Sequence, residues 1–549
     1  MKGSAAIATI LKMEGVEFIT CYPTNPLIEA CASVGIRPIL ARNERVAVNI
    51  ADGFSRATFG RRIGVTCMQY GPGVENAFPG VAQAYTDNVP LLMLPGAYER
   101  ARQGVPPNFI SSRSYHFVSK WAENVNSADR IPQMLRRAFT LLRSGRPGPV
   151  VLEVPADVAN EEVREEAFHY APVKGWRPAA DPQDVQQAVQ AILSAKAPVI
   201  MAGQGVLYAE AWDELRDLAE RLEIPVFTTL NGKSAFPEDH PLALGCGGRS
   251  VPLPVAHFLR KADLVIGIGT SFTRSAYIVP IPPGKTLLQI TISEDDINKD
   301  YPIDLAVIGD VKVALRQMLQ EVQRLLSGGR RGDGKVKAEV ATVKQEYLRA
   351  WLPRLTSDDL PISPFRVIWD LMHTLDRRRA IVTHDAGYPR DQMTAFYEAL
   401  IPRGYIGWGK STQLGTGLGL AMGAKLAHPD KVVVNLMGDA AFGMVGMDVE
   451  TAVRERIPIL TIVMDNQGMS GYERYLPTAL SRYQTTNLSG DYAKVAEGLG
   501  AWAERVERPQ DIVPALRRAI AVTEGGRPAF LHILTRKEPI FPQGEARAS

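Results

Sequence analysis

Short apolar runs alternate with longer amphipathic stretches along the whole chain. Each run has four to six residues, is rich in Val, Ile and Leu, and most of them lead into Gly, Pro, Asn or Asp. Such runs are typical of strands in parallel sheets that are covered on both faces. The pattern therefore predicts an α/β fold with mostly parallel sheets flanked by helices, and its predicted strands are Ile63–Met68, Leu91–Leu94, Val150–Val154, Pro198–Met201, Leu264–Ile268, Val432–Leu436 and Ile459–Met464.

Two seams interrupt this alternation. Pro172–Pro182 contains three prolines, and Ser327–Lys335 is a Gly- and Arg-rich stretch that predicts a solvated linker. They divide the 549 residues into three blocks, which agrees with the roughly three to four domains that the length favours. The predicted domains are residues 1–172, 182–327 and 355–540.

Composition and termini exclude several classes of protein. The apolar N-terminal segment is interrupted by Lys12, Glu14 and Glu17 and lacks a small-residue cleavage site, so it predicts an amphipathic helix and not a signal peptide. No apolar run approaches the ~20 residues of a membrane span. The formal charge of +3 is small and its cations are dispersed, so no nucleic-acid surface is predicted.

The four cysteines show no paired short spacing, which predicts buried thiols in a reducing compartment. Together with the absence of a targeting or membrane segment, this favours a cytoplasmic enzyme or binding protein with several domains.

The third block carries the strongest local signal for chemistry. A predicted strand ends at Gly438-Asp439, a helix is predicted at Asp448–Arg456, and the next strand leads to Asn466. Because ligands bind outside the carboxyl ends of strands in open α/β sheets, Asp439 and Asn466 could share a hard cation with a backbone carbonyl near Gly468. The alternative is that Asp439 belongs to a helix cap and Asn466 to a turn.

The spacing of these residues resembles a known motif. Asn466 follows Gly438-Asp439 as it does in the thiamine-diphosphate-dependent enzymes, where the Asp, the Asn and a nearby carbonyl hold the Mg²⁺ that binds the diphosphate. The resemblance to the acetohydroxyacid (acetolactate) synthase and benzoylformate decarboxylase group extends over essentially the whole chain. It implies a three-domain α/β enzyme, Mg²⁺ at Asp439, Asn466 and Gly468, and cofactor contacts from their neighbours Gly438, Ala440, Ala441 and Met469.

Two further segments of the third block resemble this family. In the glycine-rich stretch that begins at Gly409, Leu414 occupies the position of the apolar residue that bends the cofactor, and Gln413 precedes it. Upstream, the resemblance implies cofactor contacts from a loop in which Tyr388 and Pro389 stand where synthases often have Gln and His. The implied contacts in that loop are His384, Asp385 and Gly387.

The first block supplies the catalytic candidate. Arg42-Asn43-Glu44 resembles the family's Arg-His-Glu segment, whose Glu hydrogen-bonds the aminopyrimidine ring of the cofactor. Considered alone, Glu44 is better explained as a favourable charge in a first helical turn, and the motifs of the third block reverse that preference. The turn containing Gly71 and Asn76 resembles the Gly-Pro-Gly-x-x-Asn turn that closes over the cofactor. The loop Pro23-Thr24-Asn25 stands beside the reacting centre, which implies a cofactor contact from Pro23 and substrate contacts from Thr24 and Asn25.

The middle block resembles the central domain of the family through Gly203-Gln-Gly205. Some members bind FAD or ADP there, so the segment is either a nucleotide site or only a tight turn.

The segments that would recognise the substrate depart from the synthases. No Trp follows the metal loop, where the chain reads Gly468-Met-Ser-Gly-Tyr472, and the Phe-Gln-Glu segment expected before Lys120 is absent. His116 and Tyr472 are the candidate substrate residues, with Arg113 and Arg474 beside them.

The resemblance implies an enzyme that cleaves or forms C–C bonds on a small 2-oxo acid, as a decarboxylase or an acetolactate-synthase-like carboligase. The alternatives are a 2-hydroxyacyl-CoA lyase or oxalyl-CoA decarboxylase type, a pyruvate-oxidase-like flavoenzyme, and a nucleotide-binding regulatory protein. The family's site lies between the first domain of one subunit and the third of another, so a homodimer or homotetramer is expected.

Overall fold

Three parallel sheets follow one another along the chain in the computed structural model, which describes residues 1–326 and 332–543. All the strand pairs within these sheets are parallel. Each sheet is covered by helices, and large clusters of buried aliphatic side chains fill the layers between them.

The first sheet has the order β2-β1-β3-β4-β7-β5, and β6 also pairs with β7. Its strands are β1 (Phe18–Tyr22), β2 (Arg37–Leu40), β3 (Gly64–Met68), β4 (Leu91–Met93), β5 (Gly96–Ala97), β6 (Trp121–Asn124) and β7 (Val150–Pro155). The helices around it are α1 (Gly3–Met13), α2 (Pro26–Ser33), α3 (Glu44–Ala57), α4 (Pro72–Thr86), α5 (Ser111–Ser114), α6 (Ile131–Arg143) and α7 (Ala156–Asn160).

The second sheet has the order β10-β9-β8-β11-β12-β13. Its strands are β8 (Pro198–Ala202), β9 (Val226–Thr228), β10 (Ala243–Cys246), β11 (Leu264–Ile268), β12 (Thr286–Thr291) and β13 (Leu305–Ile308). Its helices are α8 (Pro182–Ser194), α9 (Gln204–Ala209), α10 (Trp212–Leu222), α11 (Leu253–Lys261) and α12 (Val311–Leu325), and α13 (Lys335–Leu355) leads to the third sheet.

The third sheet has the order β15-β14-β16-β17-β19-β18. Its strands are β14 (Ala380–His384), β15 (Tyr405–Ile406), β16 (Val432–Gly438), β17 (Leu460–Asp465), β18 (Trp502–Val506) and β19 (Ala529–Leu534). Its helices are α14 (Pro364–Thr374), α15 (Tyr388–Phe396), α16 (Thr416–Ala427), α17 (Asp439–Val445), α18 (Val449–Arg454), α19 (Pro477–Tyr483), α20 (Tyr492–Gly498) and α21 (Ile512–Glu524).

Local chemistry fixes several of these boundaries. The Asn43 side chain accepts a hydrogen bond of 2.8 Å from the Arg45 N–H group, so α3 begins at Glu44. The helix predicted from Asp448 is shorter than expected, because a 3₁₀ turn occupies Gly446–Asp448 and α18 follows it. All seven predicted strands correspond to observed strands, with ends that shift by at most two residues.

The predicted linker Ser327–Lys335 falls partly on residues 327–331, which lie outside the described residues. Gly334 has a left-handed backbone and Lys335 is already the first residue of α13, so the linker is shorter than predicted at that end. Within the two described ranges, none of the helices has the length and apolar character needed to cross a bilayer.

Candidate cofactor site

A cavity of about 350 Å³ opens at the carboxyl ends of β14, β16 and β17. This edge of the sheet is where the sequence analysis expects a ligand. Its lining contains ten of the predicted site residues, namely Gly387, Leu414, Gly438, Asp439, Ala440, Ala441, Asn466, Gly468, Met469 and Tyr472. The cavity wall also includes Arg249 and Tyr277 from the central domain, whereas none of residues 1–172 lines it.

Asp439 lies at the point where β16 passes into α17. Its carboxylate is buried and accepts hydrogen bonds of 2.9 Å from the N–H groups of Ala440 and Gly468. Burial raises the pKa of Asp439 to about 6, and the charge of Asp465 acts in the same direction. The Asp465 carboxylate accepts hydrogen bonds from His532 and the Gln467 N–H group. Despite the burial of Asp465, these hydrogen bonds hold its pKa below its usual value.

Asn466 follows directly after β17, and its side-chain Oδ1 atom is buried without a hydrogen-bond partner. Gln467 then takes a left-handed backbone (φ 59°), and a Cβ atom on Gly468 would lie 2.6 Å from the Thr486 carbonyl oxygen. The turn is therefore tight enough to require glycine at position 468. The unsatisfied amide oxygen of Asn466 and the Asp439 carboxylate thus belong to residues that line the same cavity.

The oxygen atoms of Asp439, Asn466 and Gly468 are the kind of ligand that a hard cation prefers. Carboxylate, amide and carbonyl oxygens suit Mg²⁺, which usually keeps several other ligands from water and phosphate. No group of three His, Cys, Asp or Glu side chains within the described ranges could hold a metal ion, so a metal here would depend on Asn466 and backbone oxygen. The unpartnered Asn466 Oδ1 atom fits that arrangement.

Leu414 lines the cavity at the start of α16. Gly415 next to it has φ 89°, and the buried Asp385 carboxylate accepts hydrogen bonds from the N–H groups of Gly415 (2.8 Å) and Gly417 (2.9 Å). Burial raises the pKa of Asp385 to about 6, although these N–H groups act in the opposite direction. Asp385 thus holds the Leu414 loop in place from behind the cavity wall.

His384 and Gln413 also lie outside the cavity lining. The His384 ring is fully buried and stacks on Trp408, with ring centroids 5.3 Å apart. Burial lowers the pKa of His384 to about 3, and the charge of Arg390 contributes to this. The Gln413 N–H group donates to the Gln83 Oε1 atom. The structure gives these residues packing positions, and their contact with a cofactor stays a prediction.

The predicted residues of the first domain form a separate group at the edge of its sheet. Glu44, at the start of α3, accepts a hydrogen bond of 3.0 Å from the Asn76 side chain, and Gly71 (φ 65°) starts the turn into α4. Pro23 and Thr24 are exposed beyond the end of β1.

Asn25 has a role in the fold that the sequence analysis did not assign. Its side chain caps α2 by accepting from Leu27 and donates to the carbonyl oxygens of Met68 and Leu94. Since its polar atoms are used in the fold, the geometry gives little support to the predicted substrate contact of Asn25.

Helices α3 and α16 join the first and third domains. A Cβ atom on Gly53 would lie 2.6 Å from the Leu420 Cα atom, so the two backbones approach as closely as glycine permits. The Arg45 guanidinium contacts the Leu414 carbonyl oxygen at the same junction. Glu44 precedes Arg45 in the chain, but it is not part of the cavity lining.

The candidate substrate residues line two different cavities. Tyr472 and Arg474 line the cavity of the third domain, whereas Arg113 and His116 line a different cavity within the first domain. Three residues in the wall of the third-domain cavity were not predicted from the sequence, namely Arg249, Tyr277 and Arg390. One feature of the sequence could have pointed to Arg390 as a site residue: it directly follows Tyr388-Pro389, in a loop that differs from the synthases.

Comparisons with known proteins agree with the three-domain architecture. Three family models match: the N-terminal TPP binding domain of thiamine pyrophosphate enzymes at residues 1–121, their central domain at 185–318 and their C-terminal TPP binding domain at 385–533.

Relatives match almost the whole chain. A probable acetolactate synthase large subunit of Methanocaldococcus jannaschii is 31% identical over 99% of this chain and 94% of its own length. A second one, from Methanococcus aeolicus, is 30% identical over 95% of this chain and 91% of its own length. A glyoxylate carboligase of Escherichia coli O157:H7 has the same identity and coverage as the second. The chain therefore belongs to the thiamine-diphosphate-dependent enzymes, in the acetolactate-synthase-like group that the sequence predicted.

Proposed function

We propose that this enzyme uses thiamine diphosphate and Mg²⁺ to cleave a small 2-oxo acid beside its carbonyl carbon, and then releases the remaining fragment or joins it to a second carbonyl compound. The supporting observation is that Asp439, the unpartnered Asn466 Oδ1 atom and Leu414 line one cavity at the carboxyl edge of a parallel sheet. When bound, thiamine diphosphate supplies the carbon nucleophile and the electron sink.

Asp439, Asn466 and the carbonyl group of Gly468 would hold the metal ion. The Mg²⁺ charge would offset the burial cost of the Asp439 carboxylate and would satisfy Asn466 Oδ1. The backbone of Gly438, Ala440, Ala441 and Met469 lines the same part of the cavity and would surround the diphosphate. Leu414 would support the cofactor in its bent shape from the opposite side.

Glu44 would act in the cavity of the partner subunit. Its carboxylate would hold a proton at the aminopyrimidine ring, while Gly71, Asn76 and Pro23 complete that wall. The observation in favour is that none of residues 1–172 lines the cavity of its own chain. The active enzyme would then contain at least two subunits, as a homodimer or a homotetramer.

A nucleotide in the central domain is a second part of the proposal. A cavity of about 490 Å³ lies between the first and central domains and includes Gly205, Gly269 and Lys410 in its lining. The volume is within the usual range for cofactor sites. A Cβ atom on Gly203 would lie 2.7 Å from Thr270 Cβ, so close packing already accounts for that glycine. Absorbance and mass spectrometry of the ligand released from purified protein would reveal FAD or ADP.

The direct test is turnover of pyruvate, glyoxylate and benzoylformate with thiamine diphosphate and Mg²⁺, with products identified by mass spectrometry. Glyoxylate is included because one relative is a glyoxylate carboligase. Acetolactate or another joined product would establish carboligation, and an aldehyde would establish simple decarboxylation. Turnover of acyl-CoA substrates alone would contradict the proposal, and so would oxygen-dependent turnover with bound flavin.

A further inference from the structure

Arg390 is the most deeply buried cation in the wall of the third-domain cavity. The residue is 2% exposed, and its Nε atom donates a hydrogen bond of 2.8 Å to the Asp391 carboxylate. Its guanidinium lies over the Tyr277 ring, 4.3 Å from the ring centroid. The Nη1 atom is buried without a hydrogen-bond partner. A charged donor left unpaired in the interior is costly unless a ligand completes it.

A second guanidinium stands beside the same carboxylate. Arg249, in the segment between β10 and α11, lines the cavity and places its Nη1 atom 3.4 Å from the Asp391 Oδ2 atom. Two guanidinium groups therefore share one carboxylate, so the group formed by Arg249, Arg390 and Asp391 carries a net positive charge. Because Arg presents several N–H donors in a planar fork, this pair is suited to a carboxylate or a phosphate.

The position of Arg390 favours a carboxylate over the diphosphate of the cofactor. Its neighbour Pro389 faces the metal-binding edge, since the Pro389 ring is 3.8 Å from where a Cβ atom on Gly438 would be. The Arg390 Nη1 atom instead lies 3.4 Å from where a Cβ atom on Gly409 would be, in the loop that leads to Leu414. The unpaired Nη1 atom thus lies beside Gly409, at the start of the segment that leads to Leu414.

We infer that Arg390, supported by Arg249 and Tyr277, binds the carboxylate of the 2-oxo acid substrate. The inference rests on the proposed function. It adds a specificity-determining group that comes from this chain's own departure from the synthases at Tyr388-Pro389.

A kinetic consequence follows from the chemistry of the carboxylate. In decarboxylation the bond between the carboxylate carbon and the carbonyl carbon breaks, the electron pair stays on the former carbonyl carbon, and CO₂ leaves uncharged. The charge that Arg390 binds is thus weaker in the transition state than in the ground state. Loss of Arg390 should raise KM and leave kcat unchanged or slightly higher, because it removes binding that does not favour the transition state.

The test compares Arg390→Gln and Arg390→Lys with the wild type and with Arg349→Gln, an exposed arginine on α13 that serves as the control. With the 2-oxo acid that the wild type turns over fastest, we expect Arg390→Gln to raise KM about 10- to 100-fold with kcat within about twofold. The KM of Arg390→Lys should lie between those of the wild type and Arg390→Gln, because lysine keeps the positive charge but lacks the planar set of N–H donors. The thiamine diphosphate Kd, measured by calorimetry, should not change in either variant.

Methyl pyruvate and oxamate separate the charge from the rest of the substrate. The neutral ester has no carboxylate to lose as CO₂, so it serves as an inhibitor and should inhibit wild type and Arg390→Gln equally well, while the unreactive anion oxamate should bind the variant about tenfold or more weakly. A weaker thiamine diphosphate Kd with unchanged KM would assign Arg390 to the cofactor and overturn the inference. Unchanged oxamate binding would also overturn it.

Two further outcomes remain distinguishable. If Arg390→Gln does not fold, as judged by its Tm, the Arg390→Lys and Arg249→Gln variants decide by the same measurements. If the wild type turns over none of the 2-oxo acids, the proposed function fails, and oxamate binding still tests the anion site because it does not depend on turnover.

Discussion

The carboxyl edges of the first and third sheets carry most of the predicted site residues, yet their polar groups are satisfied in different ways. At the third sheet, Asn466 Oδ1 and Arg390 Nη1 are buried without a hydrogen-bond partner. At the first sheet, Asn25 uses its side chain within the fold and Glu44 accepts from Asn76. Because unpaired buried polar groups are costly, a ligand that paired these two atoms would stabilise the third-sheet edge.

At the first-sheet edge, by contrast, the predicted residues Asn25 and Glu44 have partners within the fold, and exposed loop residues such as Pro23 and Thr24 lie beside them. The comparison indicates that one edge holds the ligand and the other supplies groups to a ligand held elsewhere.

The largest effect should come from the first-sheet edge. Glu44→Gln keeps the size of the side chain and the acceptor for Asn76 but cannot exchange a proton at the cofactor ring. We expect kcat to fall about 10²- to 10⁴-fold with little change in thiamine diphosphate affinity, as is typical when a general acid–base group is lost. Steady-state kinetics and calorimetry measure the two quantities, and Glu75→Gln, on an exposed position of α4, is the control. Full activity in Glu44→Gln would defeat the assignment.

The third-sheet edge should show the opposite signature. Asp439→Asn removes the charged oxygen ligand, so thiamine diphosphate affinity in the presence of Mg²⁺ should fall at least about tenfold. Calorimetric titration with and without Mg²⁺ checks this, with the exposed Asp430→Asn as control. Unchanged affinity together with unchanged dependence on Mg²⁺ would remove Asp439 from the metal site.

Mixing the two variants tests whether the edges belong to one chain or two. If Glu44 serves the partner's cavity, random assembly of equal amounts of Glu44→Gln and Asp439→Asn chains restores about a quarter of the wild-type sites, because a quarter combine two intact edges. Coexpression with two affinity tags and activity per active site would measure this. No recovery in verified mixed oligomers would place both edges of a site in the same chain.

The junction between the two regions can be weakened directly. Gly53→Ala adds a Cβ atom 2.6 Å from the Leu420 Cα atom in the α3–α16 contact, so the free energy of unfolding should fall by about 1–3 kcal/mol. Gly498→Ala, on α20, meets no atom within 4 Å and is the matched control. Denaturant unfolding compares them, and equal stabilities would show that the α3–α16 contact can relax.

The smallest effect concerns pH. Asp448 accepts hydrogen bonds on Oδ1 from the Arg42 N–H group and the Thr451 hydroxyl across the same junction, and burial raises the pKa of Asp448 to about 6. A raised carboxyl pKa means that the ionised form costs stability above pH 6, and that the cost disappears as the pH falls toward 4.

Asp448→Asn keeps the Oδ1 acceptor and removes this cost. We expect it to be more stable than the wild type by about 1–3 kcal/mol at pH 8, with no difference near pH 4. Unfolding at both pH values measures this. A variant that is less stable at pH 8 would show that the Asp448 charge itself supports the junction, through Arg42 and not in spite of burial.

Much of this fold could be read from the sequence, because buried parallel strands leave short apolar runs that few other structures produce. That Asp439 and Asn466 lie together at one edge of the third sheet could also be predicted, since a Gly-Asp strand end and the Asn at the next strand end are close in sequence. Arg390 and Arg249 were not, because 141 residues separate them and only the tertiary fold brings both to Asp391. The role of Asn25 was missed for a related reason: the carbonyl groups that it contacts belong to Met68, the last residue of β3, and Leu94, just after β4, which are far from it in sequence.

The stack of His384 and Trp408 behind the cavity has a practical consequence. The Trp408 ring is fully shielded from water, its Nε1 atom donates to the His384 carbonyl oxygen at 2.7 Å, and the imidazole beside it stays neutral at any ordinary working pH. Indole emission depends on the polarity and charge of its surroundings, so this ring forms an intrinsic optical reporter at the end of β14. Replacing Trp408 with Phe would isolate its contribution from the other six tryptophans, and the enzyme could then be followed during cofactor loading without any added dye.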